Sequence, residues 1–371
     1  MRIILIFLMA LAIYVFQERV YLKRCFQKLY TTMKFNKQSV FEGEELELSV
    51  EITNRKFTPL WWLCLKFYIS RYIHFLEDGD NAGSQDNFRK DLFFIMSFEK
   101  VTRKYKVVAA KRGFYEIKDF ELSSGDFFSK YRIMTSEDCN ISLYVYPKLI
   151  NIDIINIVFN KLNGEVVSKR HYIEDPFYLR GIRDYYMFDS MKKINWNATA
   201  RTGQLKVNEF DYTSSGRLKI ILDMEKYNVW DSSQIIEDSI RLAASFSSKY
   251  IEEGMNVEFV TNGQDILSKE YANIDSGNNI NHLFNIYEAL ARIDENACCK
   301  DINEIFEHEF INSNKDKVYI FISHYYSKDL KAVVEMYRNI GFDIKWVFVK
   351  LKSDVIELDE HNDFHIWEAV A

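Results

Sequence analysis

Arg217-Leu218-Lys219-Ile220-Ile221-Leu222-Asp223 is a short, mostly apolar run that closes on a carboxylate. A strand buried on both faces of a parallel sheet reads this way, because neither face needs to be wet. Downstream, strand-like and helix-like stretches alternate. Asp231, with Gln234 three residues on, makes a capping-box-like start. Ile236, Ile240, Ala243, Ala244, Tyr250 and Ile251 then keep helical spacing as far as Gly254. Val257–Thr261 reads as the next strand; Ile280, Leu283, Tyr287 and Leu290 mark a helix, and Ile302, Ile305 and Phe306 a shorter one. Val318–Ser323 is a strand, Lys328–Ile340 a helix stopped by Gly341, and Ile344–Val349 a further strand. This alternation predicts an α/β domain over residues 216–371, a parallel sheet with helices on both faces. Ligands of such sheets sit beyond the carboxyl ends of the strands. That singles out Asp223 with Glu225, and Ser323 with His324.

Upstream the period changes. Leu46, Leu48, Val50 and Ile52 alternate with Glu45, Glu47, Ser49 and Glu51, the pattern of a strand with one wet face. Similar runs at Trp61–Ile69, Phe93–Phe98, Lys104–Ala109, Phe114–Leu122 and Ile141–Tyr146 are separated by turn residues. Residues 30–150 are therefore expected to form an antiparallel β-sandwich. The polar stretch from Asp78 to Asp91 is expected as a loop. Of the adjacent Trp61 and Trp62, one should face the core and the other a domain contact.

Ile3 to Phe16 is an uninterrupted apolar run, followed by Arg19, Lys23, Arg24, Lys28, Lys34 and Lys37 with no acid between Glu18 and Glu42. Extended to Leu22 with snorkelling charges, it approaches the length of a membrane-spanning helix. The basic cluster belongs on the cytoplasmic side. Residues 1–29 are thus expected as a membrane anchor with its basic flank, making a single-pass protein of the cell membrane whose bulk is cytoplasmic. Aromatic residues at 16% exclude a solvated, disordered chain, and 13 glycines in 371 residues argue against Gly-rich architectures. A net charge of −6 gives no global field for nucleic acid. The five cysteines show neither disulfide-scaffold nor zinc spacing.

The connecting segment, residues 151–215, holds the most distinctive pattern: Arg183-Asp184-Tyr185, then Asp189, then Lys193-Ile194-Asn195-Trp196, Ala200-Arg201 and Leu205-Lys206-Val207. It resembles the signature of the bacterial "domain of unknown function 58" family, roughly R-x-Y-x-x-G-D, R-x-I-x-W, A-R and L-x-V. Upstream, Lys111-Arg112-Gly113-Phe114-Tyr115, Ser124-Gly125-Asp126 and Val145-Tyr146-Pro147 also fit. Phe188 departs from the pattern by standing where the family has Gly. The resemblance covers nearly the whole chain. It implies a membrane anchor, a β-domain and a C-terminal von Willebrand A-like domain. Its implied partners are a MoxR-type AAA+ ATPase and other von Willebrand A proteins. It implies no enzymatic activity.

Read as side chains alone, Arg183, Asp184, Asp189, Lys192, Lys193 and Arg201 surround Trp196 with Tyr185 and Tyr186, either as a recognition surface or as an interdomain staple. In the staple, Trp196 is buried, Arg183 pairs with Asp189, and Asn195 satisfies backbone groups. The resemblance also suggests a metal edge, which is degenerate here. Where von Willebrand A domains carry D-x-S-x-S, this chain has Asp223-Met224-Glu225-Lys226-Tyr227, with Asn278 and Asn279 near the place of the Thr and Ser323-His324 later. Mg²⁺ needs several oxygen ligands in octahedral order, so no cofactor is expected. Asp223 and Glu225 are instead expected to offer negative charge to a basic partner. No P-loop, dinucleotide, zincin or nucleophile-elbow motif occurs. His361 and His365 sit in what reads as an exposed acidic tail. The expected function is a non-enzymatic interaction or assembly factor. The alternative is a hydrolase in which Asp223, Glu225 and Asp189 converge in a cleft.

Overall fold

The computed structural model describes residues 4, 8, 9, 24–76, 88–125, 132–150, 179–187, 189–210, 217–226, 233–297, 299–312, 315, 317–351 and 364–369. The chain divides into two units, Met1–Lys148 and Leu149–Ala371.

The first unit holds β1 (Leu29–Phe35), β2 (Ser39–Phe41), β3 (Glu45–Asn54), β4 (Leu60–Tyr68), β5 (Ile73–Phe75), β6 (Phe88–Ile95), β7 (Lys100–Ala109), β8 (Gly113–Gly125) and β9 (Arg132–Tyr146). They form two sheets, ordered β1-β3-β7-β5 and β2-β9-β8-β4-β6. The alternation read in β3 is real: Leu46, Leu48, Val50 and Ile52 are buried in a core with Phe67, Tyr105 and Phe120. β2 runs parallel to β9, so the sandwich is mixed and the all-antiparallel expectation is corrected. Residues 88–91, expected in a loop, belong to β6. There Asp91 accepts hydrogen bonds from Tyr105 Oη at 2.8 Å and Arg89 Nε at 3.0 Å, polar contacts with no hydrophobic period to announce them. A register shift between Leu60 and Leu63 breaks the alternation at Trp61-Trp62. Trp61 is exposed and Trp62 half-buried, so neither is core.

The second unit begins its described part with a hairpin of β10 (Leu179–Asp184) and β11 (Lys206–Phe210), connected through α1 (Trp196–Thr202). Then follow β12 (Arg217–Leu222), α2 (Ser233–Glu252), β13 (Asn256–Gln264), β14 (Tyr271–Gly277), α3 (Ile280–Arg292), α4 (Ile302–Asn312), β15 (Lys317–Ser323), α5 (Lys328–Ile340), β16 (Asp343–Lys350) and β17 (Phe364–Glu368). The sheet order is β14-β13-β12-β15-β16-β17. β12 is central, paired in parallel with β13 and β15, and Leu218 to Leu222 are all buried, as an apolar run between two helical layers requires. α5 starts where Ser327 Oγ accepts from Leu330 N at 3.0 Å and stops at Gly341, whose φ of +110° suits a residue without Cβ.

Several expectations are corrected. β14 runs antiparallel to β13, so the sheet is mixed and the parallel, von Willebrand A-like architecture is not what forms. With seventeen strands against five α-helices among the described residues, the protein is mostly β-sheet. Among the described residues no helix is long and apolar enough to cross a membrane. The expected anchor over residues 3–22 lies outside the described residues except for Ile4, Leu8 and Met9. The single-pass placement in the cell membrane is corrected on that finding. His365, expected in a tail loop, is in β17, paired with Val347. The capping pair's Asp231 lies outside the described residues, as does His361.

Candidate functional site

The signature segment folds as a polar-locked hairpin. Asp184 pairs with Lys206 and Arg183 with Val207 across the two strands. Between them lie a single 3-10 turn, Met191–Lys193, and α1. Arg183 clamps Asp189 with two parallel bonds, 2.7 Å from Nη1 to Oδ2 and 2.6 Å from Nη2 to Oδ1. Such planar, bidentate pairing fixes geometry as well as charge. The backbone N–H of Tyr186 adds a third bond to Asp189 at 2.8 Å. Together they hold the Asp189 carboxyl down to about 2, the Arg183 bonds contributing most. The Asp184 carboxylate accepts from Lys206 Nζ. Asn195 caps α1 by accepting from Ala198 N at 2.9 Å, and its amide reaches Asn208 Oδ1 at 2.7 Å. Thr199 Oγ1 accepts from Lys206 N at 3.0 Å, tying the helix back to the strand.

Two parts of the staple are thus present, the Arg183–Asp189 pair and the Asn195 cap. The third is not: Trp196 is 66% exposed. It is the first residue of a seven-residue helix, too short to turn a broad face inward. The apolar plug is Ile194, buried and bridged to the fully buried Val207. Ile194 stands in the quoted signature, but nothing in the sequence marks it, in place of Trp196, as the buried residue. Around the lock, Tyr186, Met187 and Met191 project into solvent, Met187 at 86% exposure. Tyr185 is half-buried with its N–H bonded to Leu205 O at 3.0 Å, and Arg201 is exposed.

The carboxyl edge of the sheet is organised differently. Asp223 follows β12 and is wholly buried. Its Oδ1 accepts from Asn262 Nδ2 at 2.8 Å and from Glu225 N at 3.1 Å, and its Oδ2 from Ser323 Oγ at 2.9 Å. Asn262 Oδ1 is itself taken by Met224 N at 2.7 Å. Asn279 caps α3 through His282 N at 2.7 Å. Both oxygens of Asp223 are engaged by protein donors, so Asp223 does not stand free as a ligand for Mg²⁺. No group of three or more His, Cys, Asp or Glu side chains able to hold a metal occurs among the described residues. The expectation that Asp223 offers charge to a partner is corrected by its burial; of the pair, only Glu225 is part-exposed. Asp223 and Asp189 are each locked in their own hydrogen bonds.

No family model matches the chain. The uncharacterised protein YeaD of Bacillus subtilis strain 168 is 20% identical over 243 residues, 62% of this chain and 55% of its own length. The chain therefore spans about half the length of the curated relative it matches. Among solved structures, a CARDB domain from Pyrococcus furiosus aligns with 32% of this chain and 96% of its own at 11% identity and a TM-score of 0.22. A type I cohesin from Pseudobacteroides cellulosolvens aligns with 33% of this chain and 95% of its own, at 16% identity and a TM-score of 0.21. Likenesses at these scores carry no weight for fold or function.

Proposed function

We propose that the chain is a non-catalytic protein-interaction or assembly factor that docks a partner protein through the 179–210 hairpin. The observation behind this reading is that the segment's charges lock one another while Trp196, Met187 and Met191 stay in solvent. A rigid backbone carrying exposed aromatic and thioether groups binds at low entropic cost, and tryptophan is enriched among residues that dominate binding energy. Resemblance of the same segment to the domain of unknown function 58 signature makes a MoxR-type AAA+ ATPase the first partner to test, with other von Willebrand A proteins next. The hydrolytic alternative draws no support from Asp189, clamped by Arg183, or from Asp223, buried among protein donors.

The test is the affinity of full-length wild type, Trp196→Ala and Met187→Ser/Met191→Ser for the purified ATPase encoded by the same genome. Removal of a central aromatic contact costs about 2 kcal/mol or more, so at least a ten-fold loss is expected with unchanged melting. Unaltered affinity in both variants contradicts the proposal.

A further inference from the structure

The six-stranded sheet ends at β14, which pairs with β13 and, among the described residues, with no second strand. An edge strand presents backbone N–H and C=O groups to whatever lies beside it. Beside β14 runs a groove of about 550 Å³. One wall takes in every residue from Glu270 to Ser276; the other is a face of α3 bearing His282, Asn285, Glu288, Ala289 and Arg292. Successive strand residues point to opposite faces of a sheet. A groove lined by consecutive residues therefore follows the strand's backbone, not one of its faces.

The charge of the groove selects its occupant. Four carboxylates line it, Asp265, Glu270, Asp275 and Glu288, against the one guanidinium of Arg292. Asp265 holds Arg292 at 2.7 Å and also accepts from the backbone N–H of Leu267 at 2.7 Å, so this pair is neutral and internal. Glu270 and Asp275 are exposed, and Glu288 stands 3.8 Å from the same guanidinium. The ammonium of Lys300 lies over the Tyr271 ring, 4.7 Å from its centre, outside the groove lining. A second copy of this chain is the wrong partner, because two β14 edges side by side bring acids against acids. A basic strand is the right one.

We propose that β14 and α3 form a docking groove for an extended, lysine- or arginine-bearing segment of a partner protein, which adds to the sheet as a further strand. Main-chain hydrogen bonds along β14 supply affinity, and Glu270, Asp275 and Glu288 select basic side chains. No residue of the 179–210 hairpin lines this groove, so Trp196→Ala is expected to leave peptide binding unchanged.

The experiment uses the full chain and fluorescence anisotropy with three labelled peptides. One alternates lysine and valine, one alternates glutamate and valine, and the third is the lysine peptide N-methylated at alternate amides. We expect the lysine peptide to bind at least about ten-fold more tightly than the glutamate peptide. N-methylation, and the double substitution Glu270→Lys/Asp275→Lys with unchanged melting, should each weaken binding about ten-fold. Equal binding of the first two peptides, or undiminished binding of the methylated one, overturns the proposal. So does sedimentation showing that the chain itself dimerises through this edge.

Discussion

Asp189 is the residue on which the hairpin's geometry turns. Its carboxyl is held down to about 2 by Arg183 and by the Tyr186 N–H, against an ordinary 3.8. A depressed folded value means that the clamp's contribution is fully present above 3.8 and is lost as pH falls through about 2. Carboxyl NMR should show the Asp189 midpoint near 2 in wild type and shifted up towards 3.8 in Arg183→Gln, where only the Tyr186 N–H bond is left of the clamp. A wild-type midpoint near 3.8 would remove the clamp from the account. At Lys56 the pKa is also depressed, but there it is the charged form that folding disfavours. Partial burial pulls its ammonium down to about 8, while its Nζ donates to the Cys25 carbonyl. The penalty of charging it persists below pH 8 and is relieved as pH rises from 8 towards 10.5, so its effect on stability improves over that window. Amine acylation at pH 8 should therefore modify Lys56 several-fold faster than Lys66, whose value Tyr68 raises. Equal rates would show that Lys56 is ordinary.

At the scale of elements, an ionic network joins strands near their amino ends. Lys219 on β12 lies 2.5 Å from Glu309 on α4 and 3.6 Å from Glu258 on β13, and Glu258 lies 2.7 Å from Lys317 on β15. Lys219, Glu258 and Glu309 are all buried. Removing one partner of a buried pair leaves an uncompensated charge, typically at a cost of about 3–5 kcal/mol. Lys219→Met should lower the urea midpoint accordingly without changing the slope, and Lys219→Met/Glu309→Leu should recover much of the loss. A single variant as stable as wild type would contradict the network's role. This network also marks the boundary of what the sequence discloses. Lys219 reads as a stray cation in an apolar run, and nothing near it points to Glu258 or Glu309. Elements with a clear apolar pattern are legible: β3 by its alternation, β12 by its nearly unbroken apolar run and α5 by its helical spacing. β14, as Tyr271-Ala272-Asn273-Ile274-Asp275-Ser276-Gly277, is an exposed edge and carries no such period. In the 132–140 part of β9 exposure does alternate, but the half-buried side carries Ile133, Thr135, Glu137 and Cys139, a mixed set that no apolar period announces. In the candidate site, the Arg183–Asp189 pair and the Asn195 cap follow from local spacing. The exposure of Trp196 does not, because it goes with the burial of Ile194, bridged to Val207 across the hairpin.

For the whole molecule the central claim is that the 179–210 hairpin docks a partner protein while the carboxyl edge of the sheet is sealed. Among the described residues, Asp223, Asn262 and Ser323 are joined at that edge by internal hydrogen bonds that engage both Asp223 oxygens. Met187 and Met191, 86% and 77% exposed, report on the hairpin directly, and Met134 in the first unit, 60% exposed, supplies a control. Exposed thioethers oxidise readily to the sulfoxide, and cover by a partner slows the reaction. The most direct measurement is peptide mass spectrometry of peroxide oxidation at these three residues, with and without the MoxR-type ATPase bound. Met187 and Met191 should be protected several-fold in the complex while Met134 keeps its rate; unchanged oxidation of both hairpin methionines in a complex proven to form would contradict the account.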